Sequence, residues 1–155
     1  MHIDNLSRTI LATLQSNART TAAGLADRTG AAASTCLRRL RALESDGVIR
    51  GYHADIDPAA LGFSLQVIAF VTLEREDRAT IEAFEEKVVQ IPQILSAERL
   101  FGDPDYLLRV VARDLEDYQR LRDNHLGGLP GLNKITSTMV MRTLVEKRPL
   151  PVAEA

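Results

Sequence analysis

Residues 33–46 read Ala-Ser-Thr-Cys-Leu-Arg-Arg-Leu-Arg-Ala-Leu-Glu-Ser-Asp, and Gly47 follows them. At the 100° per residue of an α-helix, the apolar side chains fall on one side and the arginines and hydroxyls on the other. The apolar side consists of Cys36, Leu37, Leu40 and Leu43, and the polar side of Ser34, Thr35, Arg38, Arg39 and Arg41. The stretch therefore predicts a helix with one core face and one basic face, and it makes Cys36 a small core residue.

Two shorter helices are predicted before this one. Asp4 can cap the first helix, and Thr20 or Thr21 the second. The apolar stripe of the first helix consists of Ile3, Leu6, Ile10 and Leu14. Gly30 occupies the position of a helix-terminating glycine. Two helices joined by a short turn around Gly30 have the spacing of a helix-turn-helix.

A helix face of arginines and hydroxyls suits the major groove of DNA. Arginine can neutralise a phosphate or make two hydrogen bonds to guanine, and a hydroxyl can hydrogen-bond to a phosphate or to a base edge. Residues 48–54 predict a short strand or hairpin that would form a wing. The candidate DNA contacts are Ser34, Thr35, Arg38, Arg39, Arg41 and Arg50. A merely solvated helix face is the alternative interpretation of these arginines.

The charge is divided unevenly along the chain. The formal net charge of the 155 residues is -2. Residues 1–52 hold seven arginines and four acidic residues, for a charge of +3, whereas residues 53–155 hold 12 basic and 17 acidic residues, for -5. Such an asymmetry points to a nucleic-acid partner on the basic side.

Composition excludes several classes of protein. Apolar residues make up 45% and charged residues 26%, which is ordinary globular usage. A single cysteine allows no intrachain disulfide framework. No apolar run approaches the roughly 20 residues of a membrane helix, and the polar N-terminus lacks a secretory signal. We therefore expect a soluble cytoplasmic protein.

From residue 64 onward, strand and helix patterns follow the order β-α-β-β-α-β, which is ferredoxin-like. The predicted strands cover 65–73, 94–101, 106–112 and 135–145, and the predicted helices cover 80–89 and the stretch after Asp114 that carries Leu115, Tyr118, Leu121 and Leu126. The expected α+β chain has a winged helix-turn-helix domain at 1–53, a linker at 54–63 and a ferredoxin-like sandwich at 64–155. Helices cover one face of such a sheet, and a partner subunit usually covers the other.

Together the two parts resemble the Lrp/AsnC (leucine-responsive, feast/famine) family of transcription regulators, over about residues 3–151. In the first part the resemblance rests on residues 10–15, 25–26, 36–44 (Cys-Leu-Arg-Arg-Leu-Arg-Ala-Leu-Glu) and 47–52 (Gly-Val-Ile-Arg-Gly-Tyr). In the second part it rests on residues 102–108 (Gly-Asp-Pro-Asp-Tyr-Leu-Leu), 129–132 and 136–141.

This resemblance implies sheet-mediated homodimers that assemble further, to tetramers or octamers, and a small amino acid or related metabolite bound between dimers. Ser34, Thr35, Arg38 and Arg39 match the family's recognition-helix positions, with Arg38 as the main contact, and Gly102, Asp103, Asp105 and Tyr106 match its effector loop. A carboxylate in that loop can accept hydrogen bonds from an α-ammonium, and loop amides can hold an α-carboxylate. A plain β-turn is the alternative interpretation of Gly-Asp-Pro-Asp.

The chain departs from the family pattern at two places. Ser7 stands where the family often has an acidic residue, and Ala32-Ala33 stand where it usually has Ser-Pro. Loss of the serine cap should cost the third helix about 1 kcal/mol.

We expect a sequence-specific, DNA-binding transcriptional regulator of amino-acid metabolism or transport, with double-stranded DNA and an amino-acid effector as partners. An amino-acid-binding assembly module without DNA regulation is one alternative, which the arginine face argues against. A ferredoxin-like enzyme is another. The three histidines and one cysteine have no metal-ligand spacing, and no Walker-type glycine loop or Gly-x-Ser-x-Gly motif occurs. We therefore expect no catalytic residue, no metal and no cofactor.

Overall fold

The computed structural model describes residues 3–152. These residues form two compact units, one made of residues 3–55 together with 144–152 and the other of residues 56–143. The sequence-based boundaries kept residues 144–155 in the second domain. The described part of that stretch instead belongs to the first unit, because its backbone hydrogen-bonds to Gln15.

The first unit contains the three predicted helices, α1 (Asn5–Ser16), α2 (Ala22–Thr29) and α3 (Ala33–Ser45). Asp4 caps α1 by accepting a hydrogen bond from the Ser7 N–H at 2.9 Å, and Thr21 caps α2. Gly30 ends α2 with a φ of 70°, a left-handed conformation that favours glycine. The helices enclose a small core of Ile10, Leu14, Leu25, Cys36 and Leu43. The predicted helix boundaries, caps and core are confirmed to within a residue or two.

The predicted strand or hairpin at 48–54 is wrong. This segment is irregular, and no described strand pairs with it. The next regular structure is a 3-10 turn, Pro58–Leu61, so the neighbouring chain supplies no second strand for a hairpin. The segment is instead held to the end of α3, since the Ile49 N–H donates to the Leu43 carbonyl at 3.0 Å.

The second unit is a four-stranded antiparallel sheet with two helices, in the strand order β2-β3-β1-β4. Its strands are β1 (Leu65–Leu73), β2 (Ile94–Arg99), β3 (Tyr106–Ala112) and β4 (Leu132–Met139). Its helices are α4 (Arg78–Val88) and α5 (Leu115–Leu121), the latter continued by a π-helical turn, Arg122–Leu126. This order and pairing confirm the predicted ferredoxin-like arrangement.

Alternate residues of β1 separate the two faces of the sheet. Val67, Ala69, Val71 and Leu73 are buried in one core with residues of α4 and α5. The opposite face carries Ile68 and Phe70, which are half-buried. Phe70 is paired in register with Leu107 of β3, so this second face has an apolar centre, whereas Arg109, Thr136 and Thr138 surround it.

Two details of the second unit differ from the sequence prediction. The last strand covers Leu132–Met139 and not 135–145. Its partner β1 begins at Leu65, and the Val140 N–H makes the last bond, to the Gln66 carbonyl at 2.9 Å, so the chain beyond has no strand to pair with. The second strand ends at Arg99 and not at residue 101. On α5, Tyr118 and Leu121 are buried and Leu115 is exposed.

Candidate functional site

The outer side of α3 carries an exposed stripe of polar side chains. Ser34, Arg38 and Arg41 are all exposed and lie three or four residues apart, so they share one face. Within residues 3–152, neither Arg38 nor Arg41 forms an ion pair. Both guanidinium groups are therefore available to a phosphate or a guanine edge.

Arg39, predicted as a DNA contact, has a partner inside the protein. Its Nη2 lies 2.8 Å from Oδ2 of Asp4, and the two side chains are 34% and 41% exposed. The same carboxylate caps α1. Arg39 therefore fastens α3 to the start of α1, and its neighbour Thr35 is half-buried.

The start of α3 has no side-chain cap. Ala32 is the N-cap residue and makes no capping hydrogen bond through its side chain. Its carbonyl accepts from the N–H groups of Thr35 and Cys36, at 2.9 and 3.0 Å. A serine at this position would add a hydroxyl acceptor for an N–H group of the first turn, which the alanine side chain cannot provide.

The remaining predicted contact, Arg50, is exposed and lies beyond α3 in the irregular segment. The structure thus divides the six predicted DNA contacts into three groups. Ser34, Arg38 and Arg41 are exposed on one stripe, Thr35 and Arg39 lie half-buried beside it, and Arg50 stands apart in residues 48–54.

In the second unit, a cavity of about 420 Å³ lies beside the loop that joins β2 to β3. It is lined by Leu73, Glu76, Ile81, Arg99, Leu100, Phe101, Gly102, Asp105 and Tyr106. Three of the four predicted effector residues are therefore brought together, whereas Asp103 is exposed and does not line the cavity.

Asp105 holds this loop against the sheet. One carboxylate oxygen accepts a hydrogen bond from the Leu73 N–H at 2.7 Å, and the Asp105 N–H donates to the Val71 carbonyl at 2.9 Å. The Asp105 carbonyl accepts from the Leu100 N–H at 2.7 Å. Removing the Asp105 carboxylate would therefore disturb the cavity wall as well as any contact with a ligand.

Tyr106 forms the buried floor of the cavity at 3% exposure. Its hydroxyl donates to Oε1 of Glu85 at 2.8 Å, and its ring centroid lies 4.6 Å from that of Phe84. Burial, and after it the Glu85 carboxylate, raise the pKa of Tyr106 above its ordinary range. The phenol therefore stays neutral and is committed to Glu85 as a donor.

Sequence reasoning missed two charged residues of the cavity, Arg99 and Glu76. Arg99 is paired in register with Tyr106, so both side chains lie on the helix side of the sheet. Glu76 lies in the connection between β1 and α4. Neither forms an ion pair within the described part of the chain. Only the strand register identifies Arg99, because an arginine on an edge strand gives no signal of its own.

The cavity combines three charged side chains, those of Arg99, Glu76 and Asp105, with an apolar wall. Arg99 can bind a carboxylate and Glu76 can accept hydrogen bonds from an ammonium group. Leu73, Ile81 and Phe101 supply apolar surface. This set of groups complements a zwitterion that carries an apolar side chain.

Residues 3–152 hold neither a candidate membrane span nor a candidate metal site. No helix in residues 3–152 has the length and apolar character to cross a membrane. In the same range, no three side chains among His, Cys, Asp and Glu are grouped to hold a metal ion.

A basic helix-turn-helix unit, joined in one chain to an α+β unit with a charged cavity, defines the class of ligand-responsive DNA-binding proteins. Residues 3–50 match the family model of a winged helix-turn-helix DNA-binding domain, and residues 66–150 match that of the Lrp/AsnC ligand-binding domain. The chain belongs to the Lrp/AsnC family of transcription regulators.

Relatives and solved structures agree with this assignment along the whole chain. The Bkd operon transcriptional regulator of Pseudomonas aeruginosa is 33% identical, over 97% of this chain and 98% of its own. The regulator AldR of Mycolicibacterium smegmatis is 35% identical, over 96% of this chain and 86% of its own. A transcriptional regulator of Neisseria meningitidis, solved as a complex with L-methionine, superposes with a TM-score of 0.92 at 30% identity, over 97% of each chain.

Proposed function

We propose that this regulator binds double-stranded DNA through the exposed stripe of α3, with Arg38 and Arg41 as its principal cations and Arg50 as a further contact. The observation that carries the proposal is that the charges of Arg38 and Arg41 are exposed and unpaired within the described chain. Arg39 then has a supporting role, since Asp4 already occupies its guanidinium.

The effector we propose is a small α-amino acid with an apolar side chain, bound in the cavity beside Gly102, Asp105 and Tyr106. Arg99 would bind its carboxylate and Glu76 its ammonium group. The Neisseria relative supports this class of ligand, because it was solved with L-methionine. The exposed Asp103 would take part only at the mouth of the cavity or against a second subunit.

We further propose a cytoplasmic homodimer, formed through the apolar sheet face around Ile68, Phe70 and Leu107 and able to assemble into tetramers or octamers. A dimer would present two recognition helices, and avidity would compensate for the modest +3 charge of each DNA-binding part. Amino-acid metabolism or transport is the class of target genes that fits an amino-acid effector. No catalytic residue is assigned.

The test is to select DNA from a random pool with the full-length protein and to measure affinity for the selected sequence by fluorescence anisotropy. We expect affinity to fall steeply between about 50 and 200 mM salt, since phosphate contacts release counterions. An enriched sequence bound by the wild type and lost in Arg38→Ala supports the proposal. Failure to enrich any sequence, while an L-amino acid still raises the melting temperature, would favour an amino-acid-binding assembly module instead.

A further inference from the structure

The C-terminal stretch is attached to α1 by a reciprocal pair of hydrogen bonds. Nε2 of Gln15 donates to the Leu150 carbonyl at 3.2 Å, and the Leu150 N–H donates to Oε1 of Gln15 at 2.6 Å. One carboxamide thus satisfies both backbone groups of a residue 135 positions away, as a neighbouring strand would.

An ion pair makes a second attachment. Nζ of Lys147 contacts Oδ1 of Asp55, the residue that ends the first part of this unit. Asp55 follows the irregular segment 48–54 directly. Residues 147–150 therefore reach from the end of that segment to the last turn of α1.

The C-terminal stretch, α1 and the irregular segment enclose one groove of about 570 Å³. Leu11, Leu14 and Gln15 of α1 line it together with Ala18 just beyond that helix, Leu150 and Val152 line it from the C-terminal stretch, and residues 48–53 from the third side. Arg50 is one of those residues. The segment that carries Arg50 pairs with no described strand. It is held to α3 by the Ile49 N–H on the Leu43 carbonyl and by the Tyr52 hydroxyl, which donates to Glu44 at 2.9 Å, and it faces the C-terminal stretch across the groove.

We infer that residues 144–152 are a positioning element for DNA binding, which Gln15 locks in place so that segment 48–53 presents Arg50 in one conformation. A backbone fixed before binding loses less conformational entropy when the complex forms, and this raises affinity without adding a contact to DNA. The inference rests on the proposed contact between Arg50 and DNA.

The chain connectivity also links this positioning element to the ligand-binding unit. Residues 144–152 follow β4 after only four residues, 140–143. The ligand-binding unit is therefore joined to the DNA-binding unit at both of its ends, by the chain at 55–56 and by the chain at 143–144. The second connection leads to the C-terminal stretch that lines the same groove as Arg50.

The test is a double-mutant cycle in the full-length protein, with Gln15→Ala and Arg50→Ala alone and combined, measured as affinity for the selected DNA. Gln119→Ala is the matched control, because Gln119 is an exposed glutamine on α5 whose side chain makes none of the described hydrogen bonds. We expect Gln15→Ala to weaken binding about three- to tenfold. In the Arg50→Ala background, Gln15→Ala should weaken binding no further.

Limited proteolysis and circular dichroism distinguish a loss of positioning from a loss of the folded structure. Trypsin should cut the Lys147–Arg148 bond faster in Gln15→Ala than in Gln119→Ala, while both variants keep the circular dichroism of the wild type. Lys147→Gln, which breaks the other attachment, should weaken DNA binding in the same Arg50-dependent way.

Two results would overturn the inference. One is an equal loss of affinity on Gln15→Ala with and without Arg50, and the other is no loss at all. If Arg50→Ala itself leaves affinity unchanged, the assigned role of Arg50 is wrong and the inference falls with it. DNA binding through Arg38 would still stand in that case, because Arg38→Ala tests it separately.

Discussion

The guanidinium of Arg39 lies 2.8 Å from the carboxylate of Asp4 and joins the recognition helix to the N-terminal cap of α1. Arg38, one residue earlier, is exposed and forms no ion pair within residues 3–152. Adjacent arginines on one helix thus differ in their partners. The helix as a whole is positioned by one arginine and presents the other to solvent.

Replacement of these two arginines should therefore have different effects. Arg38→Ala should weaken DNA binding about tenfold and lower the slope of log affinity against log salt by about one, as the loss of a phosphate or guanine contact does. Arg39→Ala should lower the free energy of unfolding by about 0.5 kcal/mol, because the ion pair with Asp4 is partly exposed. Anisotropy at several salt concentrations and urea unfolding measure the two effects. The same loss of affinity in both variants, with no change in stability, would contradict this division.

Arg99 gives a cleaner test of the effector cavity than Asp105, whose carboxylate also holds the Leu73 N–H. Arg99→Gln should weaken binding of an apolar L-amino acid about tenfold or more, by loss of a charge-assisted hydrogen bond. The amide of the same amino acid should bind the wild type weakly and be little affected by the substitution. Calorimetric titration measures both, with Arg122→Gln as control because Arg122 is exposed in the turn after α5 and lines no part of this cavity. Wild-type affinity in Arg99→Gln would rule out the carboxylate contact.

A serine at the start of the recognition helix should stabilise the first unit. Ala32 provides no side-chain cap, so Ala32→Ser should raise the free energy of unfolding by about 1 kcal/mol. Ala12→Ser, an exposed position inside α1, should instead lower it slightly. Thermal unfolding of the two variants against the wild type measures the difference. Equal effects at the two positions would show that α3 obtains its cap from elsewhere.

Ionisation of Tyr106 should make the folded protein less stable at high pH. Burial and Glu85 raise its pKa in the folded state above the ordinary 10.0, so folding favours the neutral phenol. Its contribution to stability is therefore complete below pH 10 and is lost as the pH rises further. At neutral pH, Tyr106→Phe should be less stable than the wild type, because the variant lacks the hydrogen bond to Glu85. Above pH 10, the variant should lose less stability than the wild type.

The phenol of Tyr52 is a useful comparison for that experiment, because it is 47% exposed whereas Tyr106 is buried. Partial desolvation of its hydroxyl, and then Glu44, raise the pKa of Tyr52 to about 12. Tyr52→Phe should therefore also reduce the alkaline loss, and urea unfolding over a series of pH values compares all three proteins. Parallel curves for Tyr106→Phe and the wild type would contradict the assigned pKa direction.

Local patterns in the sequence identified the helices, the strand order and three of the nine residues that line the cavity, because caps and periodicity act over a few residues. Asp4, Thr21 and Gly30 end or begin helices as their chemistry predicts. The contacts that sequence reasoning missed all join distant positions. Arg39 meets Asp4 35 residues earlier in the chain, Gln15 meets Leu150, and Arg99 reaches the cavity through its register with Tyr106. The prediction of a strand at 48–54 failed for a related reason, since a strand exists only where a partner strand reaches it.

The most direct test of the account is the affinity of the wild type for its selected DNA, measured by anisotropy with and without each L-amino acid, and repeated with Arg99→Gln. We predict that at least one apolar amino acid shifts the affinity by about five- to 150-fold, the usual range of coupling between two sites. Arg99→Gln should bind DNA normally without effector and require a much higher concentration for the same shift. DNA affinity that no amino acid changes, at concentrations that raise the melting temperature of the protein, would contradict the coupling of the two units.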